Sequence, residues 1–311
     1  HFLYKSMINS NLKFDRVGSQ GSFRRCLNEV FSRFRGLPGK VRALCGAGEI
    51  QFDSSVPGRS ARNNTPLATP YREMNVYLAE FVGTAILILL GNGVVANVVR
   101  NKLMGRKSGW MVITTGWGLG VALAVYSVGR ISGAHINPAV SIGLASAGEF
   151  AWSLVPGYVA AQTAGGAFGG FLVWLAYLAH WGETEESEGK LACFATMPAI
   201  PNRLANVLTE FIGTAFLVFG VMAFGSVAQE AAANGVQQGL VQGFSTWFGP
   251  LLVGLLVLSI GLSLGGPTGY AINPARDLGP RIMHALLPIA GKGTSGWHYA
   301  WIPILAPIAG G

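Results

Sequence analysis

The sequence predicts an all-α membrane protein with six transmembrane helices and two re-entrant half-helices in an inverted repeat. Three observations support this prediction. Half of the 311 residues are hydrophobic and only 12% are charged, whereas a soluble domain carries about a quarter charged residues. Apolar segments recur along the chain, and the length of each is close to the ~20 residues that a helix needs to cross a bilayer. The tripeptide Asn-Pro-Ala occurs twice, at 137–139 and 273–275.

The first 72 residues are predicted to form a basic, largely disordered tail. They contain twelve Lys or Arg and four Asp or Glu, which accounts for the whole net charge of +8. Basic segments favour the cytoplasmic side of a membrane, so we expect a cytoplasmic N-terminus and no nucleic-acid partner. Apolar residues at helical spacing in 23–37 indicate either an amphipathic helix on the membrane or a short unstructured basic run.

Residues 73–311 are predicted to form one membrane domain. The predicted spans are 75–99, 109–128, 154–178, 204–224 and 239–262, with a sixth from 299. The chain stops at Gly311, and we expect this last helix to be truncated. Two further apolar segments, 131–147 and 270–287, are interrupted by Gly and Pro and are predicted to be re-entrant half-helices.

An internal repeat sets the topology. Residues 79–85 (Ala-Glu-Phe-Val-Gly-Thr-Ala) resemble residues 209–215 (Thr-Glu-Phe-Ile-Gly-Thr-Ala), and the Asn-Pro-Ala motifs recur at a similar offset. The repeats extend over about 73–180 and 203–311, each with three spans and one half-helix. Because three is odd, the second repeat is inverted, and the two half-helices meet near the midplane.

The Asn-Pro-Ala motifs are helix starts. Asn caps the first turn with its side-chain oxygen, and Pro tolerates the first helical position. Two helix N-termini that meet at one point repel cations and interrupt a proton wire. The pairing therefore predicts a selective pore for uncharged solutes.

With Arg276 directly after the second motif, this arrangement resembles the major intrinsic proteins, the aquaporin family, over 75–311. The resemblance implies a homotetramer with one pore per subunit. It places the two motifs in the pore, namely Asn137, Pro138, Ala139, Asn273, Pro274 and Ala275. It also implies pore-lining backbone at Gly133, Ala134, His135, Ile136, Gly269, Ala271 and Ile272. Supporting roles fall to Glu80, Glu210 and Gln162.

The resemblance also places an outer constriction at Trp117, Gly261, Tyr270 and Arg276. Water-only members carry His where Gly261 stands. Two aromatic rings opposite a guanidinium suit a polyol, since its CH groups contact the rings and its hydroxyls accept from Arg276. Asp277 is typical of the glycerol-facilitating branch, whereas Tyr270 stands where those members often have Phe.

We therefore expect a passive channel for glycerol and other small uncharged polyols, and for water, that excludes protons and ions. A water-selective aquaporin and a pore for urea, ammonia or hydrogen peroxide remain as alternatives. No enzymatic activity, metal site or cofactor is expected. The lipid bilayer is the expected surrounding, with the plasma membrane as the default location.

Overall fold

The computed structural model describes residues 40–45, 48–53 and 74–311. In the N-terminal unit, β1 (Lys40–Cys45) pairs antiparallel with β2 (Gly48–Asp53), in a register that runs from Lys40↔Asp53 to Cys45↔Gly48. This two-stranded ribbon is not predicted from the sequence. The proposed amphipathic segment at 23–37 lies outside the described residues.

The second unit is helical. Its helices are α1 (Val76–Val99), α2 (Trp110–Ser132), α3 (Pro138–Ser146), α4 (Val155–Ala176), α5 (Ser187–Ala192), α6 (Arg203–Ala233), α7 (Gln238–Trp247), α8 (Gly249–Leu264), α9 (Pro274–Leu286) and α10 (Trp297–Gly310). Short 3₁₀ turns at Trp152–Leu154 and Leu178–His180 flank α4. Side-chain caps begin two of the long helices, because Asn75 accepts from Leu78 N–H and Asn202 accepts from Ala205 N–H.

Two predicted spans differ most from the helices observed. The helix α6 runs nine residues past the predicted end at 224, through an Ala-rich stretch with high helix propensity. The predicted span 239–262 is two helices, α7 and α8, bent by 41°. Pro250 in the first turn of α8 lacks an N–H and disfavours helical backbone in the residue before it.

Within residues 74–311, four helical segments are long and apolar enough to cross a membrane, and the bent pair α7–α8 makes a fifth. These four contain α1, α2, α4 and α6. The helix α10 has 14 residues and begins at Trp297, two residues before the predicted position. The half-helices α3 and α9 have 9 and 13 residues, too short to cross a bilayer.

The helices pack as two similar sets. The helix α1 contacts α2 and α4, and α6 correspondingly contacts α8 and α10. The sets join where α2 crosses α8, and this crossing is close because a glycine from each helix faces the other's backbone. A Cβ on Gly118 would lie 2.7 Å from the Gly254 carbonyl oxygen, and one on Gly254 would lie 2.6 Å from that of Gly118.

Candidate pore and constriction

Both half-helices begin at the asparagine of an Asn-Pro-Ala motif. The Oδ1 atom of Asn137 accepts from Ala139 N–H at 2.9 Å, and that of Asn273 accepts from Ala275 N–H at 3.0 Å. A proline follows each asparagine at the start of the helix, where no hydrogen-bond donor is needed. The two helix N-termini are thus built by the same local chemistry.

The asparagine amides also join the two loops crosswise. Asn137 Nδ2 donates to the Ile272 carbonyl at 2.8 Å, and Asn273 Nδ2 donates to the Ile136 carbonyl at 2.8 Å. Two equivalent hydrogen bonds of this kind are expected where the repeats are related by a local two-fold axis. Both amide groups are predicted to point into the pore, whereas in the structure one N–H of each donates to the other loop and one N–H per asparagine remains.

The backbone before each motif is turned into an unusual conformation. Ala134 and Ile136 have φ angles of 49° and 44°, and Tyr270 and Ile272 have φ angles of 39° and 42°. Such angles are rare for residues with a Cβ and rarest for β-branched ones. Strain of this kind persists only where the surroundings hold it, so other residues must fix these loops.

Two buried glutamates hold the loops. Glu80 on α1 accepts from His135 N–H at 3.0 Å and Ile136 N–H at 2.6 Å. Glu210 on α6 accepts from the equivalent amides of Ala271 and Ile272 at 2.9 and 2.8 Å. Each carboxylate therefore uses both oxygens to fix the strained turn of its own repeat.

Gln162 on α4 supports the first loop indirectly. Its amide nitrogen donates to Glu80 at 2.7 Å and to the Ser141 hydroxyl on α3 at 3.0 Å. Ser141 also contacts Nδ1 of His135 at 3.0 Å, and the His135 ring packs against Phe150 with 4.5 Å between centroids. The first loop is thus braced through the half-helix as well as through the glutamate.

Two cavities meet at the predicted constriction. A pore cavity of about 170 Å³ is lined by both asparagines, by the two strained loops and by apolar side chains of α1, α2, α6 and α8. A vestibule of about 410 Å³ is lined by residues of α1 and α2, by the region around α5 and by the loop that precedes α9. Both cavities share Trp117, Tyr270 and Arg276. These three side chains therefore form the boundary between the two spaces.

Each aromatic ring of this boundary rests on a glycine. A Cβ on Gly91 of α1 would lie 2.3 Å from the Trp117 indole. A Cβ on Gly261 would lie 2.7 Å from Cζ of Tyr270, so the Tyr270 ring occupies the space that a side chain at Gly261 would take. Gly261 therefore provides the space for the Tyr270 ring, and its effect is not only to widen the passage.

Three polar atoms at the boundary are buried without a hydrogen-bond partner among the described residues. They are the indole Nε1 of Trp117, the hydroxyl of Tyr270 and Nη1 of Arg276. The Arg276 guanidinium lies over the Trp117 ring, with 4.1 Å between Cζ and the centroid. Buried donors are normally satisfied by protein or by a bound molecule, so the boundary is chemically prepared for a hydrogen-bonding solute.

The charge beside the constriction is compensated within the structure. Asp277 accepts from Thr196 N–H at 2.8 Å and from the Arg281 Nε–H at 2.7 Å. Arg281 also donates to the carbonyls of Thr196 and Ser295 at 2.8 Å each. Asp277 thereby ties α9 to the segments that surround the vestibule.

The motif residues, the glutamates and the boundary residues predicted from the sequence lie together in one region of the structure. Gly91, Ser141 and Trp110 also belong to this region and are not predicted. Trp110 donates to the Gly261 carbonyl at 3.0 Å and packs edge-on against Tyr270, with 5.8 Å between centroids. No spacing rule identifies these residues, because each acts by its position against another helix.

Comparison with known proteins agrees with this geometry. Residues 68–311 match the family model described as Major intrinsic protein. The chain is 60% identical over 238 residues to the probable glycerol uptake facilitator protein of Thermotoga maritima, covering 76% of this chain and 95% of that protein. It is 52% identical over 238 residues to the glycerol uptake facilitator protein of Bacillus subtilis, covering 76% and 81%.

A solved structure resembles the fold. The aquaglyceroporin from Plasmodium falciparum superposes with a TM-score of 0.63 at 30% identity, covering 77% of this chain and 92% of that one. The match of the family model to 244 residues, together with these relatives, identifies the fold as that of an integral membrane channel. The chain belongs to the major intrinsic protein family.

Proposed function

We propose that this chain is a passive channel for glycerol and other small uncharged polyols, and for water, that excludes protons and ions. The observation that carries the proposal is the set of three polar atoms on Trp117, Tyr270 and Arg276 that have no hydrogen-bond partner in the described part of the chain. They lie beside two aromatic faces at the boundary of two cavities. The named function of the bacterial relatives supports the same solute.

A polyol matches this boundary on both of its faces. Its CH groups lie against the aromatic rings, and its hydroxyls pair with the unsatisfied donors that would otherwise remain buried alone. Inside the pore cavity the remaining N–H groups of Asn137 and Asn273 donate to the next hydroxyl. A solute without hydroxyls leaves these donors unpaired, and that penalty favours the polyol.

Ions and protons are excluded by electrostatics. The half-helices α3 and α9 direct their positive ends to the point where the asparagines meet. Arg276 adds a full positive charge at the boundary. A water molecule that accepts from both asparagines must donate outward in both directions, which breaks the chain of hydrogen bonds that a proton would follow.

The test is solute flux into liposomes that contain the purified full chain, followed by stopped-flow light scattering. A matched pair of variants on α2 ties the flux to this cavity. Val121 lines the pore cavity, whereas Leu119 is exposed on the same helix. Val121→Trp is expected to reduce glycerol flux to the level of empty liposomes, and Leu119→Trp is expected to leave it unchanged.

The alternatives predict different solutes. Fast water flux without glycerol flux in the unmodified chain would replace the proposal by a water-selective channel. Urea flux faster than glycerol flux would indicate a pore tuned to that solute. Equal loss of flux in both tryptophan variants would show that conduction does not follow the proposed route.

We further propose a cytoplasmic N-terminus, a plasma-membrane location and a homotetramer with one pore per subunit. The basic tail supports this orientation. Arg100 donates to the His180 carbonyl at 2.7 Å, and Lys102 pairs with Glu183, so the segments that follow α1 and α4 lie together. The C-terminal ends of α1 and α4 therefore lie on one side of the helical unit, and in the proposed orientation this side is extracellular. Protection of Lys102 from a membrane-impermeant amine reagent in intact cells would contradict the orientation, and a monomeric mass by native mass spectrometry would contradict the tetramer.

A further inference from the structure

The helix α7 carries an apolar face that is largely exposed in the described part of the chain. Leu240, Phe244 and Trp247 follow one another at helical spacing, and are 66%, 55% and 72% exposed. Gln238 and Gln242 lie on the opposite face of the helix. Three large apolar side chains on one side and amides on the other make α7 amphipathic.

The length of α8 places α7 at the membrane surface. With 16 residues at ~1.5 Å each, α8 extends over ~24 Å, which is less than the ~30 Å of hydrocarbon. The part of the hydrocarbon thickness that α8 does not cross must be crossed by α7, which continues from α8 at an angle of 41°. At this angle ten residues advance ~11 Å along the direction of α8, so α7 crosses the remaining ~6 Å of hydrocarbon and then reaches into the headgroup region.

The apolar face of α7 continues into the surface of the neighbouring helix. The rings of Phe244 and Phe248 stack with centroids 5.1 Å apart, and exposed Leu251 and Leu255 follow on α8. The Tyr126 hydroxyl on α2 donates to the Trp247 carbonyl and holds the bend in place. One continuous apolar surface therefore connects α7 to a helix that spans the membrane.

The scarcity of charged residues in this region favours contact with lipid over contact with a polar protein. Between Glu210 and Arg276 the chain contains a single charged residue, Glu230. A partner protein held by ion pairs would find almost nothing to pair with here. Tryptophan beside aliphatic and aromatic side chains is typical of the membrane–water interface.

We propose that α7 is an interfacial anchor whose Leu240–Phe244–Trp247 face is covered by lipid acyl chains at one membrane surface. The amide face is turned toward the headgroups and water. This anchor fixes the end of α8, which lines the pore cavity through Val253 and Val257. The proposal requires insertion in a bilayer and is independent of which solute the pore conducts.

The experiment is spin-label depth measurement on the full chain in liposomes. Single labels are placed with Leu240→Cys, Phe244→Cys and Trp247→Cys on the apolar face, and with Gln238→Cys and Gln242→Cys on the polar face. Cys26→Ser and Cys45→Ser remove two other thiols, and the parent with only buried Cys193 reports background labelling. Phe219→Cys, on an exposed position of α6, is the reference for a lipid-facing site.

Lipid contact has a distinct signature. The three apolar-face labels are expected to collide more with oxygen than with a water-soluble nickel chelate, as Phe219→Cys does, and the two glutamine sites are expected to show the reverse. Access of the nickel chelate to all five sites would overturn the proposal in favour of a solvated helix. Protection of the apolar-face labels from both reagents would overturn it in favour of cover by protein, and dipolar broadening would then identify a second copy.

Discussion

Replacing Gly261 with alanine tests how the constriction is built. The added Cβ would lie 2.7 Å from Cζ of Tyr270 and 3.0 Å from Cγ2 of Thr114. Carbon atoms in contact prefer about 3.5–4.0 Å, so the Tyr270 ring must move by about 1 Å, and open space adjoins it at the boundary of the two cavities. We expect slower glycerol flux in Gly261→Ala.

The magnitude follows from the energy of overpacking. One extra methyl group in a packed site costs about 1–3 kcal/mol. If this strain falls entirely on the permeation barrier, glycerol flux drops about 5- to 150-fold, because each 1.36 kcal/mol changes a rate tenfold. Water, which is smaller, is expected to lose less, so the ratio of glycerol to water permeability falls.

The assay is stopped-flow light scattering of proteoliposomes at matched protein density. Gly225→Ala on α6 is the matched control, since a Cβ there meets nothing within 4 Å. In the double variant Gly261→Ala/Tyr270→Leu the clashing ring atom is gone, and glycerol flux is expected to recover above that of the single variant. Unchanged glycerol flux in Gly261→Ala, or no recovery in the double variant, would refute this account of the constriction.

Four further predictions concern other contacts. Tyr270→Phe removes a hydroxyl that pairs with the solute, and glycerol permeability is expected to fall about 2- to 10-fold for a net loss of ~0.5–1.5 kcal/mol; an increase in stopped-flow flux would argue against this role. Glu210→Gln places an amide donor against a backbone N–H and is expected to destabilise the fold by about 1–3 kcal/mol. Thermal unfolding is the measurement, and Glu230→Gln, an exposed position on the same helix, is expected to leave the unfolding temperature unchanged. Equal unfolding temperatures for the two variants would contradict the scaffold role of Glu210. Asn137→Ala removes a helix cap and a crosswise bond. In a double-mutant cycle, its loss in the free energy of unfolding is expected to be non-additive with that of Asn273→Ala. Simple additivity would show that the two asparagines are not coupled. Burial raises the pKa of the Cys193 thiol to about 12, so the reactive thiolate is scarce below that pH. Cys193 in the folded protein is therefore expected to resist maleimide at pH 8, whereas the denatured chain reacts. Rapid labelling of Cys193 in the folded protein would contradict its burial.

Local chemistry explains why the half-helix starts can be predicted from the sequence. An asparagine cap followed by proline needs no other segment to begin a helix, so the starts of α3 and α9 follow from the motifs alone. The glutamates could likewise be predicted, since they occupy matching positions in a visible repeat.

Features that depend on other segments were harder to predict. The bend between α7 and α8 has a local signal, Gly249-Pro250, but the apolar run continues on both sides and predicts a single span. The end of α6 was predicted from hydropathy, whereas alanine-rich sequence continues a helix after hydropathy falls. The crosswise bonds of the asparagines cannot be predicted from either motif alone, because each requires the strained carbonyl of the other loop.

Those crosswise bonds have a consequence for how the protein is made. Asn137 and its acceptor are 135 residues apart, and Asn273 and its acceptor are 137 residues apart. While only the first repeat has been synthesised, the Ile136 carbonyl and the Asn137 amide have no partner in the membrane, where an unpaired polar backbone group is costly. Closing these distant contacts is slow compared with forming helices. We therefore expect the first half-helix to reach its final hydrogen bonding only when the second repeat has inserted, so that the pore is completed at that late step of biogenesis.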